Sequence, residues 1–267
     1  MNLPLFRHTF SANAVRLVFI SAGLILMGVL MPVVFKTFGK EIGEFVDTVP
    51  VLAQLSNFGG ANFFTLTGSI ALGISHPFSL LLLGIMAIAF PALAIAGERD
   101  RGTLEVTLAR PISRRGLYGT LYLAGLIFVG LLLATMLLAS TITTYALGLG
   151  DELALGGMVQ LWLAGWLLFV AFMSLAFFVS AMSDRAGPAV GIPAVFVLIN
   201  YLSFAIGSIW PDAKWLEDYS MFNLLNAQQV LDTGIAAIDL LIMAAFSAIF
   251  VALALYLFPR RDIPSPS

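Results

Sequence analysis

The chain has no cysteine, two histidines and little charge: 13 Lys or Arg and 15 Asp or Glu, together 10% of 267 residues. Without cysteine there can be no disulfide, no thiolate metal site and no cysteine nucleophile. Lysine is confined to Lys36, Lys40 and Lys214, and no Gly-x-x-x-x-Gly-Lys-Ser/Thr stretch occurs, so a phosphate-binding loop is excluded. The net charge of -2 gives no reason to invoke a nucleic-acid partner.

Apolar residues take the place of charge. They make up 60% of the sequence, and the mean hydropathy is +0.99. A soluble domain carries about 25% charged residues, and one of this size could not hide so much apolar surface from water. Uncharged runs span 17–35, 77–97, 116–150, 153–183, 186–211 and 240–259. A helix crosses a hydrocarbon core of ~30 Å with about 20 residues. Six transmembrane helices are therefore expected, at about 17–35, 77–97, 118–146, 158–182, 188–210 and 240–258, in one all-α membrane domain covering 1–267. Runs such as Leu80-Leu81-Leu82-Leu83 are apolar on every face, whereas barrel strands alternate. The polar and glycine-containing stretch 48–75 reads as a loop with short interfacial helices. The tail 261–267 reads as disordered.

Ten of the 13 basic residues lie in the N-terminal stretch, the second and fourth connections and the C-terminal tail. The positive-inside rule puts these segments, and both termini, in the cytoplasm of a cell-membrane protein. No clear cleavage site follows the first run, which reads as an uncleaved anchor. The stretch 3–15, with Phe6 and Phe10 on one face, is expected to lie along the inner membrane surface.

Charge gathers between the second and third spans, in Glu98, Arg99, Asp100, Arg101, Glu105, Arg110, Arg114 and Arg115. Leu104 and Leu108 share a helical face at i, i+4, and Arg101 and Glu105 form a second such pair. Pro111 should end this short amphipathic helix, and Ser113 is placed to cap the next. A charged knob of this kind suits docking on a soluble partner; an arginine-rich loop can also serve only to set topology.

The pattern Glu98-x-x-x-Gly102-Thr103-x-Glu105, followed by Pro111-Ile112-Ser113-Arg114, resembles the permease subunits of ATP-binding-cassette exporters of type 2. Where such permeases often carry Gly-Lys shortly afterwards, this chain has Gly119-Thr120. The resemblance implies a pore made with a second copy or a related permease, driven by cytoplasmic ATPase subunits. ATP and magnesium would be held by those partners, and this chain would carry no cofactor. It also implies a short cytoplasmic coupling helix formed by Glu98, Arg101, Gly102, Thr103, Leu104, Glu105, Leu108, Pro111, Ser113 and Arg114. Glu98 is expected to anchor that helix near its N-terminus, and Gly102 to allow close backbone approach.

Inside the spans, Phe196, Asn200, Tyr201 and Phe204 form a polar-aromatic face. It could line a path for an amphipathic cargo such as a lipid, drug or peptide, or bond across a helix interface. Pro91 and Pro193 are candidate hinges. His76 lacks partners for nucleophilic chemistry. The segment 210–239 is expected to hold short or re-entrant helices on the outer side, with Trp215, Tyr219 and Phe222 at headgroup level. Two other readings are an intramembrane enzyme acting on lipid or peptide and a sensor or scaffold coupled to an ATPase. The first would need ionisable residues within the spans, and the runs contain none.

Overall fold

Residues 2–39, 61–104 and 112–261 are described by a computed structural model. Among them every regular element is helical, and six helices are long and apolar enough to cross a membrane. Helix α1 (Leu3–Val34) starts at Asn2, whose side chain accepts from the Leu5 amide, and continues as a π-helical turn over Phe35–Gly39. No break separates residues 3–15 from the span, so the expected surface helix is instead the first part of α1. Its apolar periodicity simply continues into the span. At 37 residues the whole helix is about 55 Å long, well beyond the hydrocarbon thickness.

The short helix α2 (Leu66–Ser75) follows, with Ile70, Ala71 and Ile74 fully buried. It packs inside the bundle rather than at its interface, while 40–60 lie outside the described residues. Its small residues, Gly68, Ser69, Ala71 and Gly73, allow a ten-residue helix to fit between longer ones. His76 then caps α3 (Pro77–Asp100): Nδ1 accepts from the Phe78 amide, and burial holds the imidazole pKa below its ordinary value, favouring the neutral acceptor.

Helices α4 (Arg114–Ala146), α5 (Leu155–Met182) and α6 (Ala186–Ile209) supply three more spans. The connection after α6 forms α7 (Trp215–Asp218), α8 (Met221–Leu225) and α9 (Ala227–Thr233) before the last span, α10 (Ala237–Leu257). Helix α5 is the axis: 78% of its most apolar stretch is buried, against 17% for α10. It carries Leu161, Leu168, Phe169, Phe172, Met173 and Phe177 into the core, between the α1–α4 pair and α6 with α10.

Lipid tails are as apolar as leucine, so hydrophobic burial alone cannot hold these helices together; close packing and interhelical hydrogen bonds must contribute. At Gly28 of α1, a Cβ would stand 2.3 Å from the Met136 carbonyl oxygen of α4, and Ser140 donates to the Gly28 carbonyl at 3.0 Å. Trp162 and Trp166 of α5 donate to the Gly130 and Leu126 carbonyls of α4, each at 2.9 Å. Tyr122 and Ser174 join the same pair of helices at 2.8 Å. Such bonds average about 0.6 kcal/mol in membranes, and together they fix the α4–α5 register.

Candidate functional site: a charged turn at the end of an irregular span

Helix α3 ends in a turn in which Glu98, Gly102 and Thr103 of the quoted motif bond with one another and with Arg99 and Arg101. The Gly102 amide donates to the Arg99 carbonyl and the Thr103 amide to the Glu98 carbonyl, each at 2.9 Å. This is the Schellman pattern, which needs a residue in the left-handed region. Gly102 supplies it with φ +70°. Glu98 accepts from the Thr103 hydroxyl and from the Arg101 guanidinium through its two carboxylate oxygens, each at 2.5 Å. Gly102 thus reverses the chain, and Glu98 locks the last turn of α3 rather than starting a new helix. Arg101 pairs with Glu98 at i, i+3. Glu105, Leu108 and Pro111 fall outside the described residues, as do 105–111 of the expected coupling helix. Leu104, the last described position before them, is 2% exposed.

Beyond the gap, Ser113 caps α4 by accepting from the Gly116 amide at 3.0 Å. Arg114 reaches the end of the last span: Nη1 donates to the Arg261 carbonyl and, at 3.4 Å each, to those of Phe258 and Pro259. Carbonyls at a helix C-terminus lack intrahelical donors and attract cations, so Arg114 ties the start of α4 to the end of the last span. Asp184, between α5 and α6, accepts from Arg261 at 2.7 Å and Arg99 at 3.0 Å. Asp100 accepts from the Ala186 amide at the start of α6. One charged plate therefore joins the ends of α3, α4, α5, α6 and α10.

The helix leading into the turn is irregular. Segments Ile85–Ala89 and Leu93–Gly97 are π-helical, on either side of Phe90-Pro91. Proline has no amide proton, and π turns leave backbone groups unmatched. Ser180 of α5 repairs the fault: its hydroxyl donates to the Pro91 carbonyl at 2.8 Å and accepts from the Ala96 amide at 3.0 Å. Pro193, by contrast, lies within an unbroken α6.

Residues 15–263 match the family described as ABC-2 family transporter protein. The chain belongs to that family. The uncharacterized protein YhcI of Bacillus subtilis (strain 168) is 26% identical over 207 residues, covering 68% of this chain and 65% of its own length. The chain matches less than two thirds of that relative's length. This ABC-2 chain is thus the multi-pass membrane component of a transporter.

Toward the other end of the ABC-2 bundle, Asn200 is 8% exposed and both polar atoms of its side chain are hydrogen-bonded. Oδ1 accepts from the Met221 amide at 2.9 Å, and Nδ2 donates to the Phe196 carbonyl at 2.9 Å. The Asn200 carbonyl accepts from Ser220 at 2.7 Å. Asn200 thereby holds α8 against α6. Phe196 stacks on Phe246, and Phe204 and Tyr201 contact Phe222. Phe222 is buried at 2% exposure, not at headgroup level, whereas Trp215 and Tyr219 are exposed. Asn200 stands nine residues from the end of α6 at Ile209, about 13 Å by helical rise, so α8 dips into the bundle.

Sequence reasoning missed Ser180, Asp184 and Arg261. Ser180 stands in an uncharged run, and only its position opposite Pro91 gives it a role. Asp184 and Arg261 each stand beside other charges, next to Arg185 and between Arg260 and Asp262, in segments whose charge the positive-inside rule already accounts for.

Proposed function

We propose that the chain is the permease subunit of an ATP-driven exporter, with the charged turn and 104–111 receiving movement from a separate cytoplasmic ATPase. The observation that carries this reading is the self-braced turn Glu98-Arg101-Gly102-Thr103 at the tip of α3. A loop serving only to set topology needs arginines, but not a rigid reversal fixed by a glycine and a carboxylate. In this reading the turn is rigid and the π-helical, proline-broken part of α3 behind it yields, so a push becomes a bend. The charged plate carries the movement to α4, α6 and α10. Both termini lie in the cytoplasm, and a second copy or a related permease completes the pore. ATP and magnesium sit in the ATPase pair.

The cargo is apolar or amphipathic, in keeping with the uncharged spans. Its path runs beside Phe196, Asn200, Tyr201 and Phe204, and opens when α8 withdraws Phe222 from that face.

Affinity purification of the tagged chain in mild detergent, followed by mass spectrometry and an ATPase assay, tests the proposal. A cassette ATPase should co-purify with the wild type, and Glu98→Ala should release it or uncouple its hydrolysis from cargo. Purification without any ATPase, or full coupling in Glu98→Ala, contradicts the reading.

A further inference from the structure

Beside the charged turn lies a cavity of about 320 Å³. Its walls come from the first turns of α1, the end of α3 and the start of α4. The floor is apolar, formed by Phe90, Leu93, Leu117 and Leu121, while His8, Arg16 and Arg101 stand in the polar part of the lining. We infer that this cavity binds the phosphate head and upper acyl chain of one anionic phospholipid of the inner leaflet. The inference rests on the inward orientation of this end given above, but not on the ATPase.

Three observations carry it. The first is depth. Arg16 is the last charge before the uncharged run 17–35, and Glu98 is the first after 77–97. The inward orientation places the Glu98 end of the cavity at headgroup level, and Arg16, eight residues beyond His8 along α1, lines its side nearer the hydrocarbon. Val15, Val18 and Phe19 beside Arg16 are 69%, 68% and 74% exposed, so no other part of the described chain covers this apolar side of α1.

The second is the setting of Arg16. Asn13 is only 9% exposed, donates to the Thr9 carbonyl at 2.9 Å and accepts from Arg16 Nη1 at 3.2 Å. A buried amide thus braces an exposed guanidinium, whose remaining donors can form the fork that suits a phosphate. The third is charge. Glu98, the carboxylate in the lining, is occupied by Arg101 and Thr103. Arg16 therefore gives the cavity a positive excess. A cationic rim over an apolar floor fits an anionic amphiphile better than a soluble anion, which would leave the floor wet.

The test is native mass spectrometry of the chain released from nanodiscs of equal parts phosphatidylglycerol and phosphatidylcholine. The wild type should retain phosphatidylglycerol in preference, and Arg16→Gln should lower that retention about tenfold, as for loss of a charge-assisted bond. Arg16→Lys should restore part of it. Leu93→Trp, which fills the floor without altering charge, should lower it as well. Arg7→Gln, which removes an exposed arginine outside the lining, should leave it unchanged. Equal retention by wild type and Arg16→Gln, or an equal loss in Arg7→Gln, overturns the site. Displacement of the lipid by inorganic phosphate alone would mean that a soluble anion is the ligand, and also overturns it. A chain that keeps phosphatidylglycerol but purifies without an ATPase would retain the site while the exporter reading fails.

Discussion

Gly102 and Ser180 show how single residues make a backbone fault usable. With φ at +70°, Gly102 occupies a region that costs an L-residue roughly 1 kcal/mol. Gly102→Ala should open the turn and raise trypsin cleavage after Arg101 about fivefold in detergent, a change followed by gel densitometry. Ser180→Ala removes the partner of the Ala96 amide and should cost about 1–2 kcal/mol, lowering the thermal midpoint of the purified chain. Ser183→Ala is the comparison, because Ser183 donates only within its own helix, to Val179; its midpoint should barely move. The Ser113 cap was legible because Ser followed by a helical run is a local pattern. The use of Gly102 was legible only in part. Its motif marked it, but choosing between close approach and a left-handed turn required the hydrogen bonds to the Arg99 and Glu98 carbonyls.

At the scale of elements, uncharged runs located the six spans, because a charge in the bilayer costs several kcal/mol and is placed outside it. The same physics hides the order of packing. A run that is apolar on every face does not say whether it faces lipid or protein, so the central place of α5 came from the structure. The elements misjudged from sequence were the short ones. Helix α2 reads as interfacial by its polar neighbours, but its small residues let it pack in the interior; Phe222 reads as a belt aromatic, but Asn200 draws α8 inward. Asn200→Leu should release that hairpin. Hydrogen–deuterium exchange should rise over 219–233 while α5 and the α1–α4 pair keep their protection. Unchanged exchange there would mean that Phe222 packing alone holds α8.

The whole molecule is a bundle whose two ends are built differently. One end is a plate of arginines, carboxylates and helix termini centred on Asp184, Arg261 and Arg114; the other is a set of short helices folded back among the spans. Arg99 and Arg261 are largely covered, but the Asp184 carboxylate they share is 65% exposed and screened by solvent, so the plate matters more for keeping helix ends in step. The absence of native cysteine makes orientation simple to measure. A membrane-impermeant thiol reagent applied to intact cells should label Glu152→Cys and spare Arg115→Cys, with the reverse in inverted vesicles.

The most direct test of the coupling account is a photoreactive residue placed at Leu108 and activated in the purified assembly. A cross-link from this position to the cassette ATPase is expected, stronger with bound nucleotide, and none from the same residue placed at Glu152. A cross-link only to lipid or to this chain, with the ATPase present, would contradict it.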